Sequence, residues 1–235
     1  MRTVFRTSLY GTAFTVVHWF TPRDGIHPEA SVVQASSGYL YGTTSTLGGG
    51  GSAGCIAPEV LECGTVFQMD LDGVEFNVRH VFSGAPDGNH PHAALIEATD
   101  GLLYGTTIFG GGNATDEPRL GIVFQMTPDG NVYRRYWLRK AGGFGTAYPY
   151  AALVEAADGN FYLTVRGFPG FKGAVLRMTA DGGFTTLYSF SGEEDGGNPQ
   201  AGLIQTADGT FYGTTSSGGL GRPGLGVVFR LIVRE

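Results

Sequence analysis

Three short segments of this chain carry the side chains that bonding chemistry would need. Asp24-Gly25-Ile26-His27-Pro28, Asp87-Gly88-Asn89-His90-Pro91 and Asp195-Gly196-Gly197-Asn198-Pro199 each set a carboxylate just ahead of a proline. A ring built from Asp24, Asp87 and Asp195, with His90 beside the second, would suit Ca²⁺ or sugar hydroxyls, because hard cations and hydroxyls both seek oxygen. The plainer reading is a turn in which Asp caps, Gly bends and Pro opens the next strand. That reading is favoured, since the fourth segment has Gly145 where Asp is expected and a symmetric ring would lack a member. His90 and His92 with Asp87 have the donor types of a metal site, but they occur in one copy, so no metal site is expected. Glu59, Glu62, Asp116 and Glu117 are loop acids of another kind, since they break a repeat that runs through the rest of the chain. Two such acids facing each other are what a glycoside hydrolase or lyase requires. Cys55 and Cys63, the only cysteines, share one Gly-rich loop. They are expected to form a local disulfide, which would place the chain in an oxidising, extracytoplasmic compartment; the alternative is two free thiols.

The totals exclude several classes. Charged residues are 15% and hydrophobic residues 42%, which is not a disordered composition. A net charge of −6 argues against nucleic acid or an anionic membrane as partner. No apolar stretch approaches the roughly 18 residues of a spanning helix. The N-terminus, MRTVFRTSLYGTAF, lacks the apolar core of a signal peptide and already reads like a strand. Glycine supplies 40 of 235 residues without a collagen period, which points to many tight turns between short strands.

What positions the candidate residues is a repeat. Pro28, Pro91, Pro149 and Pro199 each precede an apolar strand a at the same offset: Val32-Val33-Gln34, Leu95-Ile96-Glu97, Leu153-Val154-Glu155 and Leu203-Ile204-Gln205. After a polar turn comes strand b, Tyr-Gly-Thr at 41–43, 104–106 and 212–214, with Tyr162-Leu163-Thr164 as the departing copy. A Gly-rich loop leads to strand c at Gly64, Gly121, Gly173 and Gly226, and a fifth such strand, Thr3-Val4-Phe5, stands at the N-terminus. Strand d follows an Asp-Gly turn and alternates with period two. Phe14, Val16, His18 and Phe20 share one face, as do Phe76, Val78, His80 and Phe82, and the sets from Val132 and Phe184 keep the register. His18 and His80 occupy the slot that Tyr136 and Tyr188 fill, so they are read as packing residues and not as bases. The Phe67, Phe124, Leu176 and Phe229 positions recur at spacings of 57, 52 and 53 residues. Four short strands in such a period are the sign of a propeller blade.

The Tyr-Gly-Thr-Thr, Gly-x-Val-Phe and Asp-Gly-x-x-Pro signatures, as at 104–107, 121–124 and 87–91, resemble the GloVer-type tandem repeat of large bacterial surface and secreted proteins. The resemblance implies a β-propeller-like, exported module and implies no established reaction. The expected fold is therefore all-β: a propeller of four-stranded antiparallel blades, with units at about 27–82, 90–138, 148–190 and 198–232 and strands c and d at 3–20. Four closed blades result if the d strand at 14–20 completes the last set. The alternative is an arc of a larger ring, completed by further repeats or another subunit.

Antiparallel order puts the a–b and c–d turns on one rim, and the b–c and d–a connections on the other. The b–c loops run 45–63, 108–120, 166–172 and 216–225, so all variation in length gathers on that second rim. Variation confined to one face marks the binding face. The function expected is a non-catalytic binding or scaffold module for a glycan or protein ligand. A carboxylate-using glycosidase or lyase and a purely structural repeat fragment are the alternatives.

Overall fold

The structure, a computed structural model, describes residues 2–48, 63–84, 87–111, 121–138, 148–168, 170–220 and 224–233. The described residues contain strands and turns and no helix. Two strands open the chain, β1 (Thr3–Thr7) and β2 (Phe14–Trp19), paired to each other. Three four-stranded antiparallel sheets follow in strict sequence order. Blade A is β3 (Val33–Gln34), β4 (Leu40–Thr44), β5 (Thr65–Met69) and β6 (Phe76–Val81). Blade B is β7 (Ile96–Glu97), β8 (Leu103–Thr107), β9 (Ile122–Met126) and β10 (Val132–Trp137). Blade C is β11 (Val154–Glu155), β12 (Phe161–Val165), β13 (Ala174–Met178) and β14 (Phe184–Ser189). A three-stranded sheet D ends the series with β15 (Ile204–Gln205), β16 (Phe211–Thr214) and β17 (Val228–Leu231). The a, b, c, d order read from the sequence is the strand order within each sheet.

The repeated Tyr-Gly-Thr owes its recurrence to packing. Gly105 lies opposite Phe124 in the b–c ladder, and a Cβ on it would stand 2.5 Å from that ring. Gly42 under Phe67 and Gly213 under Phe229 repeat the arrangement, with contacts of 2.5 and 2.4 Å. Glycine is needed there so that a ring can lie flat on the backbone. In blade C the pair is Leu163 opposite Leu176, so the larger strand-b residue is matched by a smaller strand-c residue. The threonine reaches the next blade: Thr43 Oγ1 donates to the Ala93 carbonyl at 3.0 Å, and Thr164 Oγ1 to that of Ala201 at 2.9 Å. The tyrosine stacks forward, with Tyr104 on Phe161 at 4.5 Å between centroids and Tyr162 on Phe211 at 4.3 Å.

Each blade thus leans on its successor. One apolar cluster joins Tyr41 and Val66 of A to Leu95, Leu103 and Met126 of B. A second joins Tyr104 and Val123 to Leu153, Leu163 and Leu176, and a third joins Tyr162 and Val175 to Leu203 and Phe211. At the N-terminal end His18 and Phe20 pack on Phe76 and Phe67 of blade A. Side-chain bonds follow the same direction. Glu97 accepts from the Ser36 N–H and hydroxyl of the preceding a–b turn at 2.7 Å each, and Glu155 accepts from Thr99 in the same way.

The strands at the two ends do not close on one another as the four-blade count expects. β2 pairs with β1, and among the described residues no strand lies on the outer edge of β17. β1 and β2 are joined by residues 8–13, whereas β2 and β17 are separated by some two hundred residues.

Candidate functional site

The Asp-Gly segments occupy the d–a connections, and their carboxylates turn inward on their own loops. Asp87 Oδ2 accepts from His80 Nε2 at 3.0 Å and from the Ser83 N–H at 3.2 Å. Its Oδ1 accepts from Arg135 Nε at 2.8 Å and Nη2 at 2.7 Å, an arginine that arrives from β10 of the next blade. Burial pushes the Asp87 carboxyl up, but the bonds and charges of His80 and Arg135 outweigh it and hold the group below the usual range. Asp195 repeats the pattern, accepting from the Ser191 N–H at 2.8 Å, the Ser191 hydroxyl and the Tyr188 hydroxyl at 2.9 Å. It too is held below the usual range: burial raises it, and the Ser191 and Tyr188 donors outweigh that. Asp24 accepts from Thr21 N–H and Oγ1 at 2.8 and 2.9 Å, with His18 Nε2 3.4 Å away. Burial lowers the His18 pKa against the pull of Asp24. The three aspartates therefore cap turns, and a cation at any of them would have to displace these donors. The slot shared by His and Tyr is more than packing, because its polar atom serves the turn aspartate in blade A, through His80, and in blade C, through Tyr188.

Other predicted positions fall elsewhere. Cys55, Glu59, Glu62, Asp116 and Glu117 lie outside the described residues, as does Gly145. Cys63 is buried immediately before β5. Among the described residues no three His, Cys, Asp or Glu side chains converge as metal ligands would.

The same rim holds a group of side chains that the sequence reading passed over. The residue after each strand-a proline is Glu29, His92, Tyr150 and Gln200 in turn. The first three touch in series across three blades. Glu29 Oε2 lies 3.3 Å from His92 Nε2, and the His92 and Tyr150 rings are 5.2 Å apart, edge to face. Arg166, just past β12, sets its guanidinium 5.3 Å from the Tyr150 centroid, and its Nε is buried with no hydrogen-bond partner among the described residues. A second layer comes from the residues before the prolines: His90 packs on Phe109 at 5.8 Å, and Phe109 on Tyr148 at 5.5 Å. Gln200 stands apart, donating to Ser216 Oγ at 3.0 Å. The result is a strip with an acid, two imidazoles, three aromatic rings and a cation. It can exchange a proton between Glu29 and His92, stack a flat or sugar ring, and bond hydroxyls or a carboxylate. The signal that could have found it is one position, directly after the proline, at which four copies of a strict repeat write four different functional side chains.

A family model described as the Gloeobacter/Verrucomicrobia repeat matches residues 55–234. The chain belongs to that family. The Gloeobacter/Verrucomicrobia repeat thus accounts for blades B, C and D and the second half of blade A. No curated protein matches the sequence significantly. Among solved structures this repeat chain is similar to a protein assigned as a gluconolactonase, with 14% identity and a TM-score of 0.51. That likeness covers 92% of this chain and 65% of the other, so the repeat chain spans a little under two thirds of that structure's length. It is also similar to a protein from Thermus thermophilus assigned as an oxidoreductase (glucose dehydrogenase), at 16% identity, a TM-score of 0.42 and coverage of 98% and 90%. At 14% identity, what the chain shares with the structure assigned as a gluconolactonase is the β-propeller-like fold.

Proposed function

We propose that the chain is a ligand-binding module of an exported protein, and that its ligand lies on the rim formed by the d–a and b–c connections. The observation that carries this reading is the Glu29–His92–Tyr150–Arg166 strip. Everywhere else the repeat keeps what joins blade to blade; along the strip it varies, and it varies among side chains that bind. Half-buried aromatic rings beside hydroxyl-bonding groups favour a saccharide, since a sugar offers an apolar C–H face and a polar edge together. Glycan-array screening followed by calorimetry on the hits is the test. Tyr150→Ala should weaken a bound glycan at least tenfold with the fold intact; an array with no retained ligand would overturn the reading.

A second reading keeps catalysis on the same strip. The Glu29–His92 pair is the described acid–base pair that faces the rim rather than capping a turn, and a lyase that removes a proton needs such a pair. Turnover on a polysaccharide panel, abolished by His92→Gln, would favour it over binding alone. Export rests on the cysteine pair, and a thermal melt that falls on adding reductant would support it.

A further inference from the structure

Within the strip, Arg166 is the side chain whose bonding the fold does not complete. Aligned on the tyrosine of strand b, the four copies write Ser45, Ile108, Arg166 and Ser216 at this position, so blade C alone places a cation there. In sheet D this position and the one after the strand-a proline satisfy each other, Gln200 donating to Ser216 Oγ at 3.0 Å. In blade C the same two positions set the guanidinium 5.3 Å from the Tyr150 centroid, with its Nε buried. Among the described residues no acceptor and no carboxylate meets that side chain. The backbone beneath it is fixed, since Arg166 and Tyr148 exchange N–H to carbonyl bonds of 2.8 and 3.3 Å. The acid of the strip, Glu29, is engaged at the other end, 3.3 Å from His92. A buried donor on a charged group left without an acceptor costs about 1–3 kcal/mol or more, which a bound anion would recover.

We propose that the saccharide of this strip is acidic: a hexuronate whose carboxylate is bound by Arg166. The proposal rests on the saccharide reading given above. The Nε–H and one Nη–H of a guanidinium lie side by side, and a planar carboxylate fills that fork with two charge-assisted bonds. Tyr150 supplies a face for the pyranose ring. His92 and Glu29, on from Tyr150 along the strip, supply polar groups for ring hydroxyls. A uronate carries all three features on one sugar, with its carboxylate on C5 and hydroxyls across the ring on C2 and C3. The net charge of −6 does not oppose this, because at physiological salt charges beyond about 8 Å are largely screened, whereas Arg166 acts in contact.

The test is titration calorimetry on the whole chain with oligogalacturonate, oligomannuronate and oligoglucuronate, each paired with its carboxyl-reduced neutral form, and with a sulfated galactan oligomer. At least one uronate should bind, and its reduced form should bind at least tenfold more weakly, a comparison that needs no variant to fold. Arg166→Gln should weaken the uronate by about ten- to a hundredfold and leave the reduced sugar unchanged. Arg166→Lys should recover part of the uronate affinity, since the charge returns without the fork. An arginine that only braces Tyr150 would, when replaced, weaken both forms equally, and that result would overturn the proposal. So would preference for the sulfated oligomer over every uronate. Neutral sugars retained through Tyr150 with no preference for uronates would overturn it and leave the saccharide reading standing; no retained sugar of either kind would overturn both.

Discussion

Exchanging the Gly105–Phe124 pair for the Leu163–Leu176 solution of blade C tests the packing account directly. Gly105→Leu alone drives a side chain into space that Phe124 occupies, since the first added carbon would already lie 2.5 Å from that ring and 2.6 Å from Leu95. Both neighbours belong to the buried core, so relief requires backbone movement, and a loss of about 3 kcal/mol is expected, the upper end for overpacking. Phe124→Leu alone removes part of a fully buried ring and leaves a void above Gly105, for a loss of about 2 kcal/mol. If the two positions form one unit, as their exchange in blade C implies, the double variant should lose about 1–2 kcal/mol rather than the summed 5, a coupling of about 3–4 kcal/mol. Equilibrium urea unfolding followed by circular dichroism measures all three. A thermal melt should place the double variant roughly 2–8 °C above Gly105→Leu, at about 2–4 °C per kcal/mol for a chain of this size. A double variant no more stable than Gly105→Leu would refute the idea that the glycine exists to seat the ring.

Further outcomes follow from the turn aspartates and the strand-d histidine. Asp87→Asn should cost about 2–3 kcal/mol, because Asp87 is 6% exposed and leaves Arg135 without its partner; Asp195→Asn, with no arginine, should cost about 1 kcal/mol or less in the same urea assay. Equal losses would show that Arg135 adds nothing. Because the folded Asp87 pKa is depressed, its contribution is present above the unfolded value of about 3.9 and is lost as pH falls through the folded one, so the wild-type advantage over Asp87→Asn should be flat above about pH 5 and shrink in stronger acid. His18 works with the opposite charge. Its folded pKa is lowered, so below about pH 6.5 the unfolded chain binds a proton that the folded chain resists, and stability should fall as pH drops from 7 toward the folded value. His18→Phe, which keeps the stack on Phe76, should flatten that part of the stability–pH curve.

The repeat register was legible because strands write it locally. Period two, the Asp-Gly turns and the proline offset are each set within ten residues, and the sheets follow them strand for strand. The Leu163 departure was legible too, once Leu176 is read as its partner, because both residues break the pattern in the same blade. Chain closure was less so: the period says that 14–20 is a d strand but not which c strand it joins, and the structure pairs it with the nearby β1. The Glu29–His92–Tyr150–Arg166 strip was missed for a different reason. Each member is a single unremarkable residue in its own copy, separated from the next by about sixty others or, for Arg166, by a strand pair. Only the fold brings them into contact. The turn aspartates attracted attention instead because they repeat, and repetition here marks structure.

That distinction carries a general consequence for this chain. In a stack of blades each unit contacts its neighbours alone, so stability is a sum of unit and interface terms and every interface must reuse the same parts. Tyr104 on Phe161, Thr43 on the Ala93 carbonyl and Glu97 on Ser36 are such parts, and each recurs at a second interface, as Tyr162 on Phe211, Thr164 on the Ala201 carbonyl and Glu155 on Thr99. A ligand imposes no such symmetry, because it meets the blades at different points of its own structure. Side chains chosen for a ligand should therefore sit where the repeat is tightly aligned in backbone yet divergent in residue type. The position after the strand-a proline meets both conditions with Glu, His, Tyr and Gln. The b–c loops meet only the second, since they diverge in length as well as in residue. A ligand held by the strip should lose affinity with single substitutions at Tyr150 or His92, while one held by the loops alone should be indifferent to both.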